Sequence, residues 1–239
     1  ASAAPAENEV LRALVFTKNT SHDSATQQRA TVTTLLNELA TQYGGQTVDI
    51  QTTDDAGQFN DANLANKDLV IFSQNGGVLF DAAQRTALEK YIRNGGGYFG
   101  MHYNSWSRGV VSETEANPFY LQLVGAQSND GHPEPAGGQS GRVYLADTTG
   151  TDPLTSGLAQ SIVRQDEWYN WDVNPTQNVH VLNYVDESTY GQQAGSPQVT
   201  EGEGEQGTAH PMTWCQKIDS GRSWFSGLGH AARPTPSRT

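Results

Sequence analysis

The chain has 239 residues, of which 35% are hydrophobic, and a formal net charge of −12. This length suits one large domain with a sizeable hydrophobic core. The acidic balance and the lack of a basic stripe argue against binding to nucleic acid or to an anionic membrane surface. No apolar run approaches the ~20 residues that a membrane-spanning helix needs. The single cysteine, Cys215, excludes an internal disulfide bond and a multi-cysteine zinc site.

The two ends of the chain differ in composition from the middle. The first six residues, Ala-Ser-Ala-Ala-Pro-Ala, resemble what remains after a secretory signal is cleaved at small residues. A disordered terminus or an expression remnant has the same appearance, and secretion is the interpretation that we favour. We divide the chain into a disordered segment, residues 1–9, a single domain, residues 10–232, and a polar tail, residues 233–239.

The first part of the chain alternates apolar runs with a helical pattern. Ser24 is a candidate N-cap for a helix that ends near Tyr43. The apolar positions on one face of this helix are Val32, Leu35, Leu36 and Leu39. Apolar runs predict strands at Leu11–Thr17, Thr47–Gln51 and Leu69–Ser73. Strands that alternate with helices imply βαβ units, so we predict an α/β fold with a mostly parallel central sheet.

A glycine-rich stretch in the middle of the chain follows a second helical pattern. The helix is predicted from Asp81, its N-cap, to Arg93, with Gly95 in the left-handed conformation that ends many helices. The next residues, Tyr98 to His102, predict a short buried strand that stops at a polar turn. His102 is therefore expected at the carboxyl edge of the sheet, where open α/β sheets bind ligands. The alternative is a tight connection in which His102 is only a packed residue.

Strand signals dominate the second half of the chain. They predict strands at Val143–Ala146, Glu167–Trp171, Val179–Val185, Met212–Ile218 and Ser223–Ser226. Pro118–Val124 is predicted to be a short helix and Asn129–Pro133 a turn. Gly191–Ala209 is rich in Gly, Gln and Glu and is predicted to be a mobile loop or hairpin arm. The sequence shows no internal repeat and no second domain.

Three histidines, His22, His102 and His230, each follow the carboxyl end of a predicted strand. Because these ends meet in one crevice of a doubly wound sheet, we expect the three imidazoles to lie close together. His132 and His210 stand in Gly-His-Pro and His-Pro turns and are candidates for substrate contact. The alternative is a set of separate histidines whose hydrogen bonds shape loops.

Converging imidazoles suit either metal binding or proton transfer. With Asp166 or Glu167 nearby, they offer the nitrogen and oxygen donors that zinc or a similar divalent ion accepts. The candidate metal ligands are His22, His102 and His230. A neutral histidine is also a general base without any metal. On that basis the candidate catalytic residues are His102, His22, Glu167 and Tyr103.

Asp166 and Glu167 form the strongest acidic motif. Neighbours on a regular strand point to opposite faces, so the two carboxylates are not expected to serve one reaction centre. This disfavours a two-carboxylate glycosidase mechanism built from the pair. We expect one of them to act as a metal ligand or base while the other braces a loop. The alternative is an acidic pair on the surface.

Aromatic side chains cluster around these motifs. Aromatic faces beside polar groups suit sugar rings, which present C–H faces and hydroxyl rims. The candidate substrate-binding residues are Trp106, Asn104, Trp168, Tyr169, His132 and His210. Structural roles are expected for Trp171 and Trp214 in the core, His180 on a strand and Cys215 as an inert thiol. Phosphate-loop and dinucleotide signatures are absent, so neither a nucleotide nor a flavin is expected as a cofactor.

Six motifs stand in a characteristic order along the chain. They are Leu14–Thr17 with His22-Asp23, Gly95–His102, Gly131-His132-Pro133, Asp166–Tyr169, His210-Pro211 with Trp214, and Gly227–His230. Together they resemble the ThuA-like (trehalose-utilisation) family. The resemblance implies a three-layer α/β sandwich like class I glutamine amidotransferases, within the flavodoxin-like class. Gly100–Asn104 stands where those enzymes carry a Gly-x-Cys-x-Gly elbow, but histidine replaces the nucleophile, so amidotransferase chemistry is not implied.

The resemblance implies a sugar-related role, and the residues suggest a chemistry for it. We hypothesise a secreted enzyme that cleaves a poly- or oligosaccharide, as a lyase or as a metal-assisted hydrolase. In a lyase, a histidine removes the proton α to the carboxylate of a uronic acid. In a hydrolase, a metal ion activates water. The alternatives are a non-catalytic sugar-binding module with the same aromatic residues and a scaffold with a structural metal.

Overall fold

A computed structural model describes residues 10–18, 25–42, 47–106, 112–128, 138–190 and 209–230 of the protein. Nine strands in these ranges form one sheet. The strands are β1 (Leu11–Phe16), β2 (Val48–Thr53), β3 (Leu69–Ser73), β4 (Gly97–Met101), β5 (Gln139–Leu145), β6 (Ser161–Asp166), β7 (His180–Asp186), β8 (His210–Ile218) and β9 (Gly221–Ser226). The α-helices are α1 (Ala25–Gln42), α2 (Asp61–Leu64), α3 (Ala82–Arg93), α4 (Glu113–Ala116) and α5 (Pro118–Val124).

The sheet has the strand order β2-β1-β3-β4-β9-β8-β7-β5-β6. The first five strands of this order pair in parallel, which gives four parallel pairings. The strands from β9 to β6 give four antiparallel pairings. The α/β class is confirmed, but the prediction of a mostly parallel sheet is not, because the sheet is mixed.

A short hairpin explains why the sheet changes direction at β9. Ile218 of β8 pairs with Gly221 of β9, so Asp219 and Ser220 alone form the turn. Asp219 adopts a left-handed φ of 52°. A two-residue turn joins only antiparallel strands, whereas a parallel connection needs a crossover of a dozen or more residues. Once β9 pairs with β4, β8 must therefore run against the parallel strands.

Helices cover both faces of the parallel half of the sheet. On one face, Phe16 of β1 belongs to the main core cluster together with Leu88 of α3 and Leu123 of α5. On the other face, Val15 of β1 packs with Val32 of α1. Adjacent residues of a strand point to opposite faces, so one buried strand contributes to both clusters.

The apolar face of α1 is narrower than the sequence predicted. Val32 is buried and Leu36 packs against the same cluster. Leu35 and Leu39 are 38% and 46% exposed. The helix therefore contacts the sheet through a stripe at i and i+4, and the two neighbouring leucines lie at its margin.

The central helix and its ends agree with the sequence. Asp81 accepts a hydrogen bond from the backbone N–H of Gln84, and the Gln84 side chain accepts one from the Asp81 N–H, which makes a capping box. Leu88 and Ile92 are fully buried. Gly95 has a φ of 114°, a left-handed conformation that favours glycine. The predicted helix, its cap and its glycine terminus are confirmed.

The predicted strand Glu167–Trp171 is wrong. The strand in this region is β6, which ends at Asp166, and Trp171 makes only an isolated bridge with Ser128. The sequence pattern was misleading because β6 lies at the edge of the sheet and is mostly exposed, as with Val163 at 67%. The aromatic residues after β6 are buried without forming a strand. The apolar pattern in the sequence therefore comes from the segment that follows β6 and not from a strand.

Some of the predicted features lie outside the described ranges. They are the N-terminal segment 1–9, the turn Asn129–Pro133, residues 191–208 of the predicted loop, and the tail 233–239. Among the residues that are described, no helix is both long enough and apolar enough to span a membrane.

The capping box gives a stability prediction. Replacing Asp81 by alanine removes the acceptor for the Gln84 N–H, and we expect the free energy of unfolding to fall by ~1 kcal/mol. The melting temperature of a chain of this size should then fall by roughly 2–4 °C. Asp81→Ser keeps an acceptor and should remain near the wild type in a calorimetric scan. Equal losses in both variants would contradict a capping role.

Candidate functional site

His102 stands directly after β4, at the start of a short 3-10 turn. Its φ of 46° is left-handed, which costs a non-glycine residue roughly 1–3 kcal/mol. The Asn104 amide donates to the carbonyls of Phe72 and Met101 at 2.8 and 2.5 Å. Its oxygen accepts from the N–H of Asn75 at 3.1 Å. The end of the neighbouring strand β3 therefore holds the strained turn in place.

The topology brings His102 and His230 together. Strands β4 and β9 are parallel neighbours, and their last residues, Met101 and Ser226, are paired. The residues that follow them meet at the carboxyl edge, and the rings of His102 and His230 are 5.5 Å apart between centres. The predicted proximity is confirmed for this pair. His22, the third histidine of the prediction, lies outside the described residues.

Glu167 joins the two histidines into a cluster. Its Oε2 lies 3.2 Å from Nε2 of His102 and 3.1 Å from Nδ1 of His230. The three residues each offer one possible metal-ligand atom within 4.8 Å of the other two. His102 is 1% exposed and Glu167 6%, while the side chain of His230 is 24% exposed. We call these three residues the His–Glu–His cluster, and His230 is its most accessible member.

Hydrogen bonding fixes the protonation of one ring nitrogen of His102. Nδ1 lies 2.7 Å from the carbonyl oxygen of Gly227, and a carbonyl only accepts, so Nδ1 carries a hydrogen. In a neutral ring, Nε2 then has a lone pair that faces the Glu167 carboxylate. Two acceptors at 3.2 Å in a buried site repel each other. A proton or another cation is therefore required between Nε2 and Oε2.

Asp166 braces the loop that carries His230. Its fully buried carboxylate accepts from the N–H groups of Gly229 and His230 at 3.0 and 2.9 Å. It also pairs with the Arg164 guanidinium at 2.7 Å. The division of roles predicted for the acidic pair agrees with this geometry, since Asp166 holds a loop and Glu167 faces the imidazoles. Both reach one site because the strand ends at Asp166, so the opposite-face argument does not apply.

Aromatic rings form a wall beside the cluster. Tyr169 stacks on the His102 ring, with centres 4.2 Å apart and planes inclined by 22°. Trp106 lies 6.0 Å from Tyr169 and stacks on Tyr103 at 5.4 Å. Tyr103 and Tyr169 are buried, while Trp106 is half-buried. Trp106 is therefore the member of this wall that is best placed to contact a sugar ring.

Comparison with known families agrees with the fold. The model of the family described as trehalose utilisation, ThuA, matches residues 12–235. The chain belongs to the ThuA family. No match was found among curated proteins.

Solved structures resemble this ThuA-family chain over most of its length. A ThuA-like protein from Bacteroides uniformis is 22% identical, with a TM-score of 0.72, over 96% of this chain and 86% of the other. A ThuA-like protein from Parabacteroides merdae is 14% identical, with a TM-score of 0.60, over 94% and 81%. A β-galactosidase from Bacillus circulans sp. alkalophilus is 13% identical, with a TM-score of 0.53, over 91% of this chain and 28% of the enzyme. At these identities the likeness shows the fold.

Three residues predicted to bind substrate have structural roles near the site of the ThuA-family chain instead. Asn104 uses its amide within the turn, as described above. Trp168 is fully buried and donates from Nε1 to the carbonyl of Gln139. His210 is fully buried and donates from Nε2 to the carbonyl of Tyr169 at 2.8 Å. Their polar atoms are engaged inside the protein, which corrects the prediction. His132 lies outside the described residues.

The residues expected to be structural behave as predicted. Trp171 and Trp214 are 2% and 1% exposed and pack edge-to-face at 5.1 Å. His180 lies on β7, far along the sheet from β4, and its exposed ring contacts Asp152 at 2.7 Å. Burial raises the pKa of the Cys215 thiol, and the charge of Asp152 adds to this effect. A raised pKa keeps the thiol protonated and unreactive near neutral pH.

Sequence reasoning missed Gln74. This residue follows β3, adopts a φ of 57° and is 2% exposed. Its Nε2 donates to the carbonyl of Gly229 at 3.0 Å, so it supports the His230 loop through a backbone group that Asp166 does not contact. The signal was available, because Gln74 also follows the carboxyl end of a predicted strand, the same criterion that selected the histidines.

The buried carboxylate of Asp166 gives a second stability prediction. In Asp166→Asn, an amide N–H₂ faces backbone N–H groups or Arg164, and we expect a loss of roughly 3 kcal/mol in the free energy of unfolding. The control is Asp61→Asn at the exposed ion pair with Lys90, which should cost less than about 1 kcal/mol. Urea denaturation measures both. Similar small losses would show that Asp166 does not hold the loop.

The raised pKa of Cys215 predicts slow thiol chemistry. A disulfide reagent should react with the folded protein more slowly than with the urea-unfolded chain at pH 7. The rate in the folded state should rise only at a higher pH than for an unfolded cysteine, because the thiolate forms later. A folded-state profile at or below the unfolded one would contradict the burial argument.

Proposed function

We propose that this ThuA-family protein is an enzyme that cleaves a poly- or oligosaccharide at the His–Glu–His cluster. The observation that carries the proposal is a buried carboxylate oxygen of Glu167 within 3.2 Å of two imidazole nitrogens. The family is described by trehalose utilisation, and a structural neighbour is named as a β-galactosidase. Both favour a sugar as the substrate class. Secretion of the protein stays a prediction.

The cluster is suited to acid–base or water-activating chemistry. The geometry of His102 requires a proton or a cation between its Nε2 and Glu167. A proton in this position makes the cluster a general acid–base device, since it is shared among groups that exchange it readily. A metal ion in the same position lowers the pKa of a bound water. Either form gives a buried centre that reacts through its accessible member, His230.

The surroundings of the acidic pair disfavour a glycosidase with two carboxylates. The Asp166 carboxylate already accepts from the backbone N–H groups of Gly229 and His230 and pairs with the Arg164 guanidinium. These partners occupy its oxygens, so Asp166 is not proposed as an acid or base. Glu167 is then the carboxylate of the pair that serves the chemistry. A mechanism with one carboxylate and imidazoles fits elimination from a uronic acid sugar or hydrolysis by activated water better than the two-carboxylate mechanism.

Trp106 is the proposed contact for the sugar ring. It is the half-buried member of the aromatic wall, and its stacking on Tyr103 holds its plane in one orientation. A pre-oriented aromatic face binds the C–H face of a sugar with little loss of side-chain entropy. The hydroxyl rim of the sugar would then lie toward His230 and Glu167. Tyr103 acts here as support for Trp106.

The proposal predicts that the cluster is needed for product formation. Glu167→Gln and His230→Gln should lower the rate of glycan cleavage roughly 10²–10⁴-fold, the usual contribution of acid–base groups. The matched control is His180→Gln, which alters an exposed histidine on β7 and should keep full activity. A panel of neutral and uronic acid glycans is assayed for reducing ends and for the ultraviolet absorbance of an unsaturated product. Absorbance identifies a lyase, and reducing ends without it identify a hydrolase.

A sugar-binding module gives the opposite result. In that case the wild type forms no product on any glycan, Trp106→Ala loses affinity, and Glu167→Gln binds as tightly as the wild type. This combination would overturn the enzymatic proposal and leave Trp106 as a binding platform.

A further inference from the structure

We propose that the His–Glu–His cluster binds one divalent transition-metal ion of the zinc type. The ligand atoms are Nε2 of His102, Oε2 of Glu167 and Nδ1 of His230. A fourth position remains for water or a sugar oxygen, the pattern of catalytic zinc sites. The use of this ion on a glycan rests on the proposed function, whereas its binding rests on the geometry alone.

The spacing of the donor atoms fits a tetrahedral ion. Metal–nitrogen and metal–oxygen bonds of roughly 2.0–2.2 Å place neighbouring ligand atoms ~3.3 Å apart in a tetrahedron. Oε2 of Glu167 is 3.2 Å from one imidazole nitrogen and 3.1 Å from the other. One possible ligand atom from each residue lies within 4.8 Å of the other two. The side chains therefore need only small movements to close around an ion.

The hydrogen bond of His102 is the one that a metal ligand makes. A ligating histidine donates its other ring N–H to a carbonyl or carboxylate, which fixes the tautomer. Nδ1 of His102 donates in this way to the carbonyl of Gly227 at 2.7 Å. The lone pair of Nε2 then faces Oε2 of Glu167, an arrangement that needs a proton or a metal ion between the two atoms. This orientation of the ring leaves Nε2 directed at the position that a metal ion would take.

Independent parts of the fold hold the ligands before any ion binds. Tyr169 stacks on the ring of His102 at 4.2 Å. Asp166 and Gln74 fix the loop of His230 through the N–H groups of residues 229 and 230 and the carbonyl of residue 229. A site held in this way loses little conformational entropy on binding, which favours high affinity.

The donor set favours zinc over harder ions. Two imidazoles and one carboxylate suit zinc, cobalt or similar ions, whereas magnesium and calcium prefer six or more oxygen ligands. One carboxylate and two neutral imidazoles leave a net charge of +1 with a divalent ion. The ion would therefore remain able to polarise a bound water or sugar oxygen.

Metal binding is tested on the full chain without a histidine tag, after removal of metal with a chelator. Zn²⁺ is titrated by calorimetry, and Co²⁺ by the visible absorbance of a tetrahedral complex. We expect one ion per chain and a higher melting temperature with Zn²⁺. Glu167→Gln and His230→Gln should weaken binding at least ~100-fold, more than the loss of an outer hydrogen bond. His180→Gln should bind as the wild type, which excludes an adventitious site on that exposed histidine.

Two outcomes would overturn the inference. One is substoichiometric binding to the wild type, and the other is unchanged Co²⁺ absorbance in both Glu167→Gln and His230→Gln. Circular dichroism checks that each variant is folded. Because the two substitutions lie on different segments, the test of metal binding can be read from either variant if the other does not fold. Glycan cleavage that survives chelation would leave the proposed function standing with a proton in the cluster. Stoichiometric metal without cleavage of any glycan would keep the metal site and remove the function.

Discussion

The carboxylate of Asp166 ties together two parts of the sheet that strand pairing keeps apart. Asp166 ends β6, and the loop that it holds follows β9, four positions away in the strand order. In a flat sheet these four steps span ~19 Å. The 2.9 Å between Asp166 Oδ1 and the N–H of His230 therefore shows that the end of β6 and the loop after β9 approach each other across the strands between them. Glu167, the residue that follows Asp166, lies 3.2 Å from Nε2 of His102.

The end of β6 brings two buried carboxylates into the site, and the neighbouring groups balance their negative charge. Asp166 and Glu167 are adjacent and almost fully buried in a chain with a net charge of −12. Asp166 is compensated by Arg164 and two backbone N–H groups. Glu167 faces imidazoles, which compensate a carboxylate only when they carry a proton or share a cation. The carboxylate of Asp166 thus has fixed compensating partners, whereas the compensation of Glu167 depends on a proton or a cation, which is why Glu167 is the one proposed to take part in chemistry.

Sequence reasoning found the part of the site that local topology determines. His102 and His230 follow strands that turned out to be parallel neighbours, so the strand-end argument was sufficient for them. Glu167 was selected as an acidic motif, but its place depends on the long-range contact between the end of β6 and the loop after β9, which no periodicity encodes. The edge strand β6 shows no apolar alternation in its sequence, because its two apolar residues, Ile162 and Val163, are adjacent. Both are exposed in the structure. The same long-range packing buried Trp168, whose aromatic character alone had suggested substrate contact.

Within the proposed function, burial decides which residues can meet a substrate. The left-handed turn at His102 and the stack with Tyr169 fix its imidazole in one orientation, and at 1% exposure it would act only through Glu167 or a bound ion. His230 shares the same carboxylate but is 24% exposed on a loop beyond the last strand. The half-buried Trp106 lies 6.0 Å from Tyr169, the ring that stacks on His102. Strain and precise packing are thus found at His102, and the proposed recognition falls to His230 and Trp106, where a change of side chain disturbs the fold least.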